Sequence, residues 1–104
     1  MEEPLEVDKI ILSALEIGEQ LVEENANSGV IVKMKNGDTY SATFFTFQNF
    51  LEQLPTIENN VDMFYLWFKN LVLVRRLNES SVNAIVEQMI DEGDFQLIFT
   101  KLTA

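Results

Sequence analysis

The sequence contains no cysteine and no histidine, and both absences exclude whole classes of chemistry. Without cysteine there is no disulfide, no thiolate nucleophile and no Cys-ligated zinc or iron–sulfur centre. Without histidine there is no Ser-His-Asp relay, no imidazole metal ligand and no histidine pH switch. Gly-rich phosphate loops and the G-x-S-x-G and S-x-x-K patterns are also absent. We therefore expect a protein that is not an enzyme and that holds no cofactor or metal.

Basic residues are scarce. The chain has 7 Lys and Arg against 17 Asp and Glu, for a formal net charge of -10. Lysine and arginine drive binding to phosphate backbones and to anionic membrane surfaces, so neither is an expected partner. No apolar run approaches the ~18 residues of a membrane-spanning helix, and Met1–Pro4 is acidic where a secretory signal would be basic. We expect a cytoplasmic protein whose partners are basic proteins or further copies of itself.

With 104 residues, of which 47% are hydrophobic, the chain is predicted to form one domain over residues 1–104. Apolar residues at helical spacing predict a helix over residues 6–26, although Gly18 lies within it. The pair Asn36-Gly37 predicts a type I′ hairpin turn between strands over residues 30–35 and 38–47. A short helix over residues 48–54 should stop at Pro55.

The second half of the chain predicts another hairpin, a helix and a last strand. Two β-rich runs, residues 63–68 and 71–77, flank Lys69-Asn70. Asn78 is a suitable cap for a helix ending near Glu92, and Gly93 provides its stop. Residues 95–101 alternate as a strand does. The predicted order is helix, two strands, short helix, two strands, helix, strand: an α+β domain with a mostly antiparallel sheet of four or five strands.

An alternative topology is a small barrel with added helices. Residues 10–77, with Asn36-Gly37, the segment Phe47-Gln48-Asn49-Phe50 and Lys69-Asn70, resemble the Sm-like and SH3-like small barrels. That resemblance implies a closed barrel. Members of the Sm-like family usually bind RNA, but this acidic chain lacks the basic rim that RNA binding needs. The resemblance therefore concerns topology alone.

Two acidic clusters are candidates for partner binding: Glu23-Glu24, and Asp91-Glu92 with Asp94. Their spacing does not match a calcium-binding loop. Both clusters lie at the predicted C-terminal ends of helices, where the helix dipole disfavours acids. Two helices that keep negative potential at this cost suggest that the acids recognise something outside the fold, while chance placement in an acidic chain is the simpler explanation.

The aromatic residues supply a second set of candidates, because all eleven lie between Tyr40 and Phe99. The run 63–68 is apolar on both alternating faces, which indicates a strand covered on both sides. Two helices cover only one face of an open sheet, so the other face needs barrel closure, a homodimer partner or a bound protein. Most of these aromatics are expected in the core. Tyr65 and Trp67 are the candidate interface anchors.

Three functional hypotheses remain. The leading one is a non-enzymatic domain that steers a basic protein partner onto acidic and aromatic surface, as immunity or antitoxin proteins and nucleic-acid mimics do. The alternative is a homodimeric assembly module that buries the second sheet face. A carboxylate enzyme is the third and needs a deep cleft, for which a chain of this length leaves little room.

Overall fold

A five-stranded sheet organises the fold. The computed structural model describes residues 5–18, 21–58 and 70–103. In chain order the elements are β1 (Val7–Leu12), α1 (Ser13–Glu16), β2 (Asn27–Met34), β3 (Thr39–Thr46), α2 (Phe47–Glu58), β4 (Leu71–Val74), α3 (Glu79–Glu92), α4 (Phe95–Ile98) and β5 (Thr100–Lys101). The predicted α+β class with a mostly antiparallel sheet is confirmed.

Strand β3 lies at the centre of the sheet. It pairs along one edge with β2, which pairs in turn with β1, and both pairings are antiparallel. Its other edge is shared: residues 43–46 pair in parallel with β4, and residues 40–41 pair antiparallel with β5. Within the described ranges no pairing joins β1 to β4 or β5. These strands form an open sheet, so they do not form the closed barrel implied by the Sm-like resemblance.

The core lies between one face of the sheet and helices α3 and α4. Alternate residues of β2 and β3 point into it, because side chains of a strand alternate between its faces. Phe44 on β3, Val82 and Val86 on α3 and Phe95 on α4 are almost completely buried. The rings of Phe44 and Phe99 are 6.1 Å apart, and those of Tyr40 and Phe95 meet edge to face at 5.0 Å. We call this the inner face of the sheet.

The helix predicted over residues 6–26 is wrong for most of its length. Residues 7–12 form β1, and only Ser13–Glu16 are helical before Gly18 turns the chain with φ +84°. β1 pairs with β2 from Val7 opposite Met34 to Leu12 opposite Val30. Leu12 is thereby buried on the inner face. The β-branched residues of this segment favour a strand once a neighbouring strand is present, and pairing with β2 outweighs the helical spacing.

The hairpin between β2 and β3 is confirmed, but its turn is not type I′. A type I′ turn needs positive φ at both central residues, and Asn36 does not have it. Instead Gly37 has φ +96°, its N–H donates to the Met34 carbonyl at 3.0 Å, and Met34 N–H donates to the Asp38 carbonyl at 2.8 Å. This is a three-residue loop: a type I turn followed by a glycine in the left-handed region.

The segment after β3 differs from the prediction in one respect and lies partly outside the described residues. Helix α2 (Phe47–Glu58) continues three residues past Pro55, which was expected to stop it. Proline removes one helical hydrogen bond and commonly bends a helix without ending it. The predicted strand over residues 63–68 and Lys69 of its turn lie outside the described residues. β4 is shorter than predicted, ends at Val74, and has β3 as a parallel neighbour.

Helix α3 is confirmed at both ends. The side chain of Asn78 accepts a hydrogen bond from Ser81 N–H at 2.7 Å, as an N-cap residue does. Gly93 follows the last helical residue with φ +82°. Its N–H donates to the Ile90 carbonyl, and Asp94 N–H donates to the Met89 carbonyl, which is the Schellman pattern.

The strand predicted over residues 95–101 is wrong for its first half. Residues 95–98 form α4, and only Thr100–Lys101 form β5. Phe95 and Phe99 are both buried and their rings stack at 4.4 Å, whereas Leu97 is 83% exposed. Burial at a spacing of four residues suits a helical turn, and an alternating strand would have buried Leu97 beside Phe95.

We predict that Asn78→Ala lowers the free energy of unfolding by about 1–2 kcal/mol, because it removes the N-cap of α3. The matched control is Asn83→Ala in the same helix, where the side chain is exposed and alanine is the better helix former. Urea unfolding followed by circular dichroism measures both variants. Equal losses in the two would contradict the capping role.

Candidate interaction surface

The first acidic cluster, Glu23-Glu24, does not lie at a helix C-terminus. Residues 21–26 are irregular, and they run beside the start of α3. The Asn78 side-chain amide donates to Glu23 at 2.7 Å, and Leu77 N–H donates to the Glu23 carbonyl at 2.8 Å. Glu24 forms an exposed ion pair with Arg76 at 3.6 Å. Both carboxylates therefore lie near the positive end of the α3 dipole, where acids are favoured, and both have partners within the fold.

The second cluster lies where it was predicted, at the C-terminal end of α3. Asp91 and Glu92 occupy its last turn, Asp94 follows Gly93, and all three acids are exposed. The last turn contains no basic residue. Acids at this end of a helix are disfavoured by about 0.3–1 kcal/mol each. The predicted electrostatic cost therefore applies to this cluster and not to the first.

The two clusters lie at opposite ends of α3 and do not form one surface. Helix α3 has 14 residues, and a rise of about 1.5 Å per residue separates its ends by about 20 Å. Glu23-Glu24 belongs to the end that Asn78 caps. A single basic side chain therefore contacts one cluster or the other.

A shallow hollow of about 360 Å³ lies beside the acidic end of α3. Helix α3, the start of β1 and the β2–β3 loop surround it. Its apolar lining comes from Leu5, Val7 and Ile90, and its charged lining from Glu6, Lys35, Glu87 and Asp91. The hollow thus combines hydrocarbon surface with three carboxylates and one ammonium group.

The charges around this hollow are not balanced. Lys35 pairs with Glu6 at 3.6 Å, while Glu87 and Asp91 have no cation within ion-pair distance among the described residues. Residues four apart on a helix are neighbours, and like charges there destabilise the helix by about 0.2–0.5 kcal/mol. Asp91 also faces the negative end of the dipole. A cation placed between Glu87 and Asp91 would relieve both effects.

The sequence prediction missed two acids of this hollow, Glu6 and Glu87. The sequence could have predicted that Glu87 and Asp91 are neighbours, because residues four apart on a predicted helix share a face. Glu6 and Lys35 come together only through pairing of β1 with β2, where Lys35 N–H donates to the Glu6 carbonyl at 2.9 Å. The first segment was predicted as helix, so no sequence signal placed Glu6 there.

The predicted aromatic anchors, Tyr65 and Trp67, lie outside the described residues. Over residues 5–18, 21–58 and 70–103, no group of three or more acids is arranged to hold a metal ion. In the same ranges, every buried side-chain nitrogen or oxygen has a hydrogen-bond partner. The hollow beside α3 combines unbalanced negative charge with accessible apolar surface.

Comparison with protein-family models, curated proteins and solved structures found no match to this chain. No helix in the described part of the chain is long and apolar enough to cross a membrane.

We predict that charge reversal at the two clusters has opposite effects on stability. Glu23→Lys/Glu24→Lys should lower the free energy of unfolding by about 1 kcal/mol, since it removes two internal contacts and places cations near the positive end of α3. Asp91→Lys/Glu92→Lys should raise it by about 0.5–1 kcal/mol, since lysine is favoured at a helix C-terminus.

Urea unfolding at low ionic strength measures both double variants. They change net charge equally, so the difference between them reports local environment and not total charge. A shift in the same direction for both would contradict the assignment of the clusters to opposite ends of α3.

Proposed function

We propose that the protein is a non-enzymatic binding domain that engages a basic protein partner through the hollow beside the C-terminal end of α3. The observation that carries the proposal is the pair Glu87 and Asp91. These carboxylates are neighbours on one helix face, lack a cation among the described residues and line a hollow together with apolar side chains.

Electrostatics supports a cationic partner. The net charge of -10 attracts basic proteins over a distance of about 10 Å at 0.1 M salt, which accelerates encounter. At contact, a guanidinium group forms paired hydrogen bonds with carboxylates, and such charge-assisted bonds are stronger than neutral ones. The two acids thus supply both long-range attraction and a local contact.

The apolar lining supports a long basic side chain in particular. Arginine and lysine carry three or four methylene groups that pack on apolar surface while the charged end stays near water. Leu5, Val7 and Ile90 offer such a surface in the same hollow as the carboxylates. Arginine suits the site better than lysine, because its planar group binds two carboxylates at once.

Two classes of binding protein share these properties: immunity or antitoxin proteins that occlude a cationic toxin, and mimics of nucleic-acid charge. Both act without catalytic groups, in agreement with the missing cysteine and histidine. The cytoplasmic location expected from the sequence belongs to this proposal. The homodimer predicted as the alternative does not compete for the hollow, since it would use the face of the sheet away from α3.

We predict that a blocked Gly-Arg-Gly tripeptide binds the hollow with a dissociation constant on the order of 1 mM. In NMR titrations the amide signals of residues 5–7, 35 and 87–91 should shift. The same peptide with citrulline, which is nearly isosteric but uncharged, should not shift them. Glu87→Gln/Asp91→Asn should abolish the response, because it removes both carboxylates that hold the guanidinium group.

The matched control is Glu16→Gln/Glu79→Gln, which removes two acids elsewhere and brings the net charge from -10 to -8, as the test variant does. This control should retain the localised shifts. Shifts spread evenly over all acidic residues, or equal shifts with citrulline, would contradict the proposed site.

A further inference from the structure

An open groove lies between β4 and helix α3, and we call it the β4–α3 groove. Its volume of about 520 Å³ is within the range of about 300–1,000 Å³ that small-molecule sites occupy. Most of its lining is hydrocarbon, from Leu73 and Val74 on β4 and from Ala84 and Ile85 on α3. No lining residue is shared with the hollow beside the C-terminal end of α3. The groove is therefore a separate candidate site.

The apolar lining of the groove is continuous with the core. Val74 belongs to the core, and Ile85 packs against it. Leu73 is 37% exposed, and Ala84 is exposed as well. An aliphatic chain placed against these side chains would remove hydrocarbon surface from water on both sides of the contact, which is favourable. The lining thus favours a ligand with an aliphatic part.

The charged lining of the groove is basic. The sequence contains two arginines, Arg75 and Arg76, and both line the groove and are exposed. Arg76 pairs with Glu24 at 3.6 Å. Arg75 has no acid within ion-pair distance among the described residues. The groove therefore contains one guanidinium group whose charge is compensated and one whose charge is not.

The position of the arginines relative to α3 adds to this imbalance. Ser81, in the first turn of α3, also lines the groove and contributes a hydroxyl group. The groove therefore reaches the positive end of the α3 dipole, where cations are disfavoured and anions are favoured. Glu24 offsets this effect at Arg76. A bound anion would do the same for Arg75.

We propose that the β4–α3 groove binds a medium-chain fatty acid. The carboxylate pairs with Arg75, and the hydrocarbon chain lies against Leu73, Ala84 and Ile85. A guanidinium group and a carboxylate form two parallel charge-assisted hydrogen bonds. The proposed ligand thus combines the two features of the groove, a hydrocarbon lining and one uncompensated guanidinium group.

The overall charge of the protein restricts the ligand to a single negative charge. The net charge of -10 repels anions, but salt at 0.1 M screens exposed charges beyond about 10 Å. The nearby guanidinium group of Arg75 therefore acts on a bound carboxylate more strongly than distant acids do. A doubly charged phosphate or an acidic peptide would bring more negative charge than this one group compensates.

NMR titration of the full chain with octanoate at 0.1 M salt tests this proposal. The amide signals of residues 73–76, 81, 84 and 85 should shift together, with a dissociation constant on the order of 1 mM. Octanamide, which is nearly isosteric but uncharged, should bind about tenfold more weakly. Acetate, which has the carboxylate without the chain, should not shift these signals at the same concentration.

Two variants with matched controls test the two parts of the site. Arg75→Gln should raise the dissociation constant for octanoate about tenfold. Its control is Lys9→Gln, which makes the same change in net charge, from -10 to -11, at an exposed lysine that does not line the groove. Ala84→Trp should abolish binding, because the indole ring occupies the groove. Its control is Asn83→Trp at the neighbouring exposed position, which lies outside the lining.

Both controls should bind octanoate as the wild type does. Circular dichroism of each variant verifies the fold, which exposed substitutions should not alter. The proposal would be overturned by equal affinity for octanoate and octanamide, by equal weakening in Arg75→Gln and Lys9→Gln, by retained binding in Ala84→Trp, or by shifts that are not confined to the groove.

Discussion

The structure depends on the pairing of both edges of one strand, β3. Its antiparallel pairing with β2 continues the hairpin, while β4 and β5 share its other edge. Phe44 at its centre is completely buried, so the strand also supplies the middle of the core beneath α3. A central strand in which every second side chain is buried fixes its own register, because a slip by one residue would turn the buried set outward. The positions of β2, β4 and β5 follow from that register, because all three pair with β3.

Local signals in the sequence located those elements whose ends are determined by nearby residues. The ends of α3 follow from the Asn78 side chain and the left-handed backbone of Gly93, both of which act within one turn. The β2–β3 hairpin follows in the same way from Asn36-Gly37, although the type of turn does not. Elements whose form depends on distant partners were not predicted. β1 is a strand because β2 pairs with it, and residues 95–98 form a helical turn because both Phe95 and Phe99 enter the core.

The acidic residues of the candidate surface also divide into those that local signals placed correctly and those whose position depends on the tertiary structure. Asp91, Glu92 and Asp94 were placed at the end of α3 because that helix was predicted with its ends, and the structure places them there. Glu23 and Glu24 were assigned to the C-terminal end of a helix that the structure does not contain. They lie instead beside the N-terminal end of α3. Charge density alone does not reveal the difference between a carboxylate that stabilises the fold and one that lacks an internal partner. The distinction requires knowledge of which helix end a carboxylate faces, and that is a property of the tertiary structure.

The sharing of one edge of β3 between β4 and β5 has a consequence for the order of folding. The β2–β3 hairpin joins neighbouring segments and closes rapidly, but Tyr40 finds its partner only at Lys101. During synthesis on the ribosome, that part of the β3 edge stays unpaired until residues 100–101 have emerged. An unpaired edge beside apolar side chains is a template for association between nascent chains. Completion of the sheet by β5 is therefore the step that ends this exposure.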